Sequence, residues 1–104
     1  MSWVRDALAA LEKGDVADVR PQGGSMRGRI ESGQLVTIAP VRERIVQVDD
    51  IVFLRWKGNY LVHIVKDIAE GQVLIGNNLG KINGWAPIDD VLGIVTEVRD
   101  DKSQ

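Results

Sequence analysis

Ser25 is preceded by Gly23 and Gly24 and followed by Met26-Arg27-Gly28-Arg29-Ile30. Two glycines allow a tight turn that exposes the serine hydroxyl and brings backbone N–H groups close to it. Such amides stabilise the oxyanion that forms when a carbonyl is attacked. A serine after glycines is also an ordinary loop, so these residues alone do not assign catalysis. The second candidate is His63, the only imidazole in the chain, within Tyr60-Leu61-Val62-His63-Ile64-Val65. An unperturbed histidine titrates near ~6.5 and accepts a proton at neutral pH, whereas a lysine near ~10.4 must first be desolvated. A lone histidine in a strand is equally a satisfied polar residue of a sheet. Lys66 follows three residues later. Side chains alternate along a strand, so Leu61, His63 and Val65 share one face and Tyr60, Val62, Ile64 and Lys66 the other. His63 and Lys66 therefore cannot both face Ser25 unless a bulge intervenes.

Composition removes several other chemistries. The 104 residues contain no cysteine, so disulfides, thiol catalysis and thiolate metal sites are excluded. One histidine does not build the usual zinc site, and no metal or other cofactor is expected. The formal net charge of -2 does not suggest a general polyanion binder. With only five aromatic residues there is little to stack on bases, so nucleic acid is not the expected partner. The longest strictly apolar run is Ala7–Leu11, against the ~20 residues that span a bilayer. No apolar segment follows the first charges, so neither a signal peptide nor a membrane span is expected. The expectation is a cytoplasmic protein.

The elements that must position Ser25 and His63 can be read from the spacing of apolar residues. Trp3, Val4, Ala7, Leu8 and Leu11 repeat every three to four positions, which predicts a helix within residues 1–14. Ser2 is its N-cap and Gly14 its stop. Beyond it lie short runs separated by turn signals. Leu35–Ala39 ends at Pro40, and Ile51–Trp56 and Asn59–Lys66 flank a turn at Lys57-Gly58-Asn59, predicting a hairpin. Gln72–Ile75 is a further short strand, and Val91–Val98 closes the fold. Gly76–Gly80 and Asn83-Gly84 read as turns. The segment Gly76–Trp85 is expected to be a hairpin with Trp85 tucked into the core, although its asparagines, Lys81 and Trp85 would also suit a cleft. The whole is one mostly-β domain over residues 1–104, a small curled sheet or barrel-like fold with one N-terminal helix. Its β core spans residues 19–98, and residues 99–104 form a polar tail. Five arginines stand against two acids in residues 20–44, and that basic rim would attract an acidic partner or substrate.

The order of these segments resembles the LexA repressor and signal peptidase superfamily. Gly-x-Ser-Met, an isoleucine and then a glycine before an apolar strand resemble its nucleophile region. Val48-Asp49-Asp50-Ile51-Val52-Phe53 resembles the strand entry that follows, Tyr60–Val65 the strand carrying the general base, and Val91-Leu92-Gly93-Ile94-Val95 the closing strand. The similarity runs in consistent order from about residue 19 to 98. Bacterial members place a lysine where this chain has His63, whereas eukaryotic and archaeal signal peptidases place a histidine there. The proline common after the Ser-Met step is absent. The family's two Gly-Asp steps read Gly33-Gln34 and Asp49-Asp50 here. Its acidic third member would fall near Gly76-Asn77-Asn78, where only amides stand; Asp89 or Asp90 would be the substitutes.

The resemblance implies a serine peptidase-like domain that takes a peptide or protein substrate. Ser25 would be the nucleophile and His63 its general base, with Gly24 and Met26 binding substrate beside the serine. An extended peptide would lie as an added strand on the active-site sheet. The chain has no Ala-Gly or Cys-Gly dipeptide, so repressor-type self-cleavage is not expected. No helix-turn-helix domain is expected either, nor membrane-bound secretory work. The alternative is a non-catalytic peptide-binding or regulatory module of the same fold, motivated by the missing acid and the altered Gly-Asp steps.

Overall fold

The computed structural model describes residues 2–21, 26–41 and 45–100. Ser2 caps helix α1 (Trp3–Glu12), its Oγ accepting the Val4 N–H at 3.1 Å. Ala7 and Leu11 lie one turn apart and are buried, with Trp3, Val4 and Leu8 packed beside them. The helix ends where the Lys13 and Gly14 N–H groups bond back to the carbonyls of Ala10 and Leu11.

Seven strands follow: β1 (Ala17–Val19), β2 (Leu35–Pro40), β3 (Ile51–Trp56), β4 (Asn59–Ala69), β5 (Gln72–Gly76), β6 (Ile82–Pro87) and β7 (Val91–Arg99). They form one antiparallel sheet in the order β1-β2-β7-β3-β4-β5-β6. β1 and β6 are its two edges, so the fold is mostly β and the sheet does not close into a barrel. The β3–β4 hairpin forms with Trp56 opposite Asn59. Its two turn residues, Lys57 and Gly58, both have positive φ (50° and 83°), the turn geometry that matches the twist of paired strands. Glycine takes that conformation without strain.

The central strands are buried on both sides, which explains why Ile51–Leu54 is an unbroken apolar run. Ile51 and Phe53 enter a first core with α1, β1, Val62 and Ile64. Val52 and Leu54 enter a second core with Val65, Val73, Ile75 and Ala86. Phe53 joins the layers of the first: its ring meets Trp3 edge-on at 5.7 Å and stacks on Tyr60 at 5.8 Å. Burying such a ring stabilises the fold by about 2–3 kcal/mol.

Four expectations need correction. Asn83-Gly84 is not a turn but lies within β6, opposite β5, with an irregularity in register there. Trp85 is 43% exposed rather than tucked into the core, because it pairs with Leu74 on the outer row. The ring that fills the space near Gly84 is Trp56, 3.1 Å from where a Gly84 Cβ would stand. Third, β4 continues to Ala69, so Lys66 sits inside a strand rather than at its end. Fourth, the β core begins at Ala17, where three residues pair with β2, and runs to Arg99.

Candidate active site

Ser25 and Gly24 lie outside the described residues. The turn that follows them is well anchored. Met26 is buried in the first core with Ile30, so only its backbone remains to meet a substrate. The N–H groups of Arg29 and Ile30 bond to the Met26 carbonyl at 2.9 and 2.7 Å. Glu31 Oε2 accepts the Gly28 N–H at 2.7 Å, closing the turn from the other side. Two long-range ties then fix it to the sheet. Asn78 Nδ2 donates to the Arg27 carbonyl at 2.8 Å. Arg29 donates to the Asp49 carboxylate at 3.0 Å and to the Asp49 carbonyl at 3.1 Å. Asp49 is itself held to β4, its N–H bonding to the Val65 carbonyl at 2.7 Å. The turn after Ser25 is thus fixed to the segment entering β3, which is bonded to the interior of β4, and to the segment leaving β5.

His63 pairs across the hairpin with Val52 and so points to the second-core face. Only 7% of the residue is exposed. Its Nδ1 lies 2.7 Å from the Val62 carbonyl oxygen. A carbonyl can only accept, so Nδ1 carries the proton and Nε2 presents a lone pair. Burial holds the imidazole pKa below its ordinary 6.5, and the Lys81 ammonium lowers it further, against the opposing hydrogen bond to Val62. The ring is therefore neutral at pH 7, the form a general base requires.

Lys66 occupies the other face. It stands at a register shift between β4 and β5, where Val65 pairs with Ile75 and Asp67 with Leu74. Its Cε lies 3.0 Å from the position a Cβ on Gly76 would take. Gly76 pairs with Ile64 of the first core, so Lys66 shares its face with Ile64, Val62 and Met26. The same Cβ would meet the Lys81 carbonyl at 2.6 Å, so only glycine lets the following loop close this tightly. Met26 and Lys66 stand on one side of the sheet, and His63 on the other.

Asn77, where the resemblance would place an acid, is an amide with a structural task. Asn77 is buried, and its Oδ1 accepts the N–H groups of Leu79 and Lys81 at 2.8 and 2.9 Å. Asp90 does not substitute for an acid: its carboxylate pairs with Arg55 at 3.3 Å. Arg55 is three residues from Val52, about 10 Å along the strand from the His63 row. Asp89 is exposed on the same short 3-10 turn, Ile88–Asp90. The group that orients the His63 ring is the Val62 carbonyl. Among the described residues no cluster of three or more His, Asp or Glu could hold a metal ion. A groove of about 500 Å³ lined by Trp3, Asp6, Asp18 and Arg20 lies elsewhere and contains none of these candidates.

Sequence reasoning missed Asn78, Asp49 and Gly76 as positioning residues. The roles of Asp49 and Asn78 depend on ties between segments 20 and 51 residues apart, and that of Gly76 on its close approach to Lys66 and Lys81, none of which local spacing displays. No protein-family model and no curated protein sequence matches the chain. No helix among the described residues is long and apolar enough to cross a membrane.

Proposed function

We propose that the chain is a serine peptidase-like domain of the LexA repressor and signal peptidase type. Ser25 is its nucleophile and His63 its general base, and it acts on an extended peptide. The observation that carries this reading is the state of His63. The Val62 carbonyl fixes the tautomer, and burial keeps the ring neutral with Nε2 free to accept a proton. In the proposed reaction Ser25 Oγ attacks the scissile carbonyl as its proton passes to Nε2. The imidazolium then returns that proton to the leaving amine, and water repeats the cycle on the acyl-enzyme. Within the turn the Gly28, Arg29 and Ile30 N–H groups are taken by Glu31 and the Met26 carbonyl, so the developing oxyanion would be met by the backbone N–H groups nearest Ser25 in sequence, those of Met26 and Arg27.

A second reading rests on the opposite faces of Met26 and His63. It makes the chain a module that binds a peptide without cutting it. Incubation with a mixed peptide library, followed by mass spectrometry, separates the two. The peptidase reading expects new peptide termini with wild-type protein and none with Ser25→Ala at unchanged melting temperature. Equal product from both proteins, with contaminating proteases removed, leaves Ser25 without a catalytic role.

A further inference from the structure

The two edges of the sheet are unequally open. β1 is three residues long and packs against α1, whereas β6 runs for six residues and pairs only with β5. One bond fixes the direction of the free backbone groups on β6. The Ile88 N–H donates to the Gly71 carbonyl at 2.8 Å, so Ile88 faces β5. Backbone groups alternate sides along a strand, so Ala86 also faces β5, while Trp85 and Pro87 turn theirs outward. Trp85 is in addition 43% exposed. An unpaired strand edge of this kind is a template for another strand.

The charges along this edge are complementary to themselves when the strand is reversed. Lys81 and Asp89 stand four residues to either side of Trp85, and both are exposed. Neither makes an ion pair with a described residue. The neighbouring charges keep the same division. Lys66 joins the Lys81 end, its Cε lying beside the Gly76 Cβ position that Ile82 Cδ1 also approaches. Glu70 joins the Asp89 end, because it precedes Gly71, which bonds Ile88. Asp67 stands in the row of Leu74 and Trp85, and Lys57 lies over the Trp56 ring that approaches Gly84, so these two opposite charges fall near the middle and favour neither end. Asp90 is paired with Arg55.

We infer that β6 pairs antiparallel with β6 of a second copy of this chain, about a two-fold axis at Trp85. The Trp85 N–H of each copy then donates to the Trp85 carbonyl of the other, and the two indoles lie side by side on one face. The same axis sets Lys81 of each copy toward Asp89 of the other, two opposite-charge meetings from one symmetry operation. An axis at Pro87 fails, because proline has no N–H to donate. A parallel pairing fails too, because it sets Lys81 toward Lys81. The pairing uses neither Ser25 nor His63 and so stands apart from the peptidase reading.

Sedimentation velocity at low salt tests the pairing. One strand pair is a small interface, so monomer is expected to pass into dimer over about 10 μM to 1 mM. Lys81→Glu and Asp89→Lys should each weaken the dimer about tenfold, since each sets like charges together twice. An equimolar mixture of the two variants restores both opposite-charge meetings and should dimerise as wild type does. Rising salt should shrink these differences. Hydrogen exchange reads the backbone pairing: the Trp85 amide should slow as concentration rises, and the β1 amides should not. The chain has no cysteine, so oxidation of Trp85→Cys should link two copies, while Val16→Cys, exposed beside the opposite edge, should not. A chain that stays monomeric up to about 1 mM, charge variants that dimerise like wild type, or a mixture no stronger than its components overturns the inference. A Trp85 amide that slows only when a decapeptide alternating Gln and Val is added to monomer assigns the edge to a peptide and overturns it as well.

Discussion

The two faces of β4 differ in what they bury. One face, through Tyr60, Val62 and Ile64, builds the first core, receives the Met26 turn and ends in Lys66 over Gly76. The other, through Leu61 and Val65, builds the second core and encloses the one imidazole. A single strand thus places a lysine and a neutral base on opposite sides of the sheet, with Lys66 at the register shift between β4 and β5. Histidine is already the residue type that can take a proton at neutral pH, and the environment of His63 reinforces this by favouring its neutral form. The ring of His63 is desolvated, and its tautomer is fixed by the preceding carbonyl.

The largest expected effect breaks the first face. Phe53 is fully buried between Trp3 and Tyr60, and Phe53→Ala should cost about 3–5 kcal/mol. Urea denaturation measures it; a loss below about 1 kcal/mol would mean that the helix does not rest on this ring.

The next prediction concerns the second face and pH. Folding lowers the His63 pKa, so the unfolded chain binds more protons over the affected range. The contribution is complete above the ordinary value of 6.5 and is lost as pH falls below it toward the lowered folded value. Stability measured by denaturation from pH 8 to pH 5 should fall in that window, and His63→Gln should flatten the fall. A variant profile parallel to wild type would show that the ring is not desolvated.

The smallest effect sharpens the placement of the turn. Arg29 and Asp49 are partly and largely exposed, 32% and 76% by side chain. Arg29→Ala should therefore cost only ~0.2–1 kcal/mol. Its signature is hydrogen exchange: the Met26–Ile30 amides should exchange faster while those of β4 do not change.

Much of the fold was legible because it is local. The helix shows in the spacing of Trp3, Ala7 and Leu11, and the hairpin in two apolar runs around Lys57-Gly58. β6 was not legible, since Asn83-Gly84 is a turn signal that the pairing with β5 overrides. β1 escaped because three residues carry too little pattern. For the site, alternation alone placed His63 and Lys66 on opposite faces. Which face receives Met26 depends on ties from Asn78 and Asp49 that join distant segments, and so it emerged only from the fold.

The central claim, that His63 and not Lys66 activates Ser25, is tested most directly by reaction with a fluorophosphonate, which captures activated serines. Mass spectrometry should find the wild-type adduct on Ser25, with a rate that rises through one ionisation below pH 6.5. Ser25→Ala and His63→Ala should abolish the adduct, and Lys66→Ala should retain most of it. An adduct that survives His63→Ala and disappears in Lys66→Ala, or a wild-type protein that never reacts, would contradict the account.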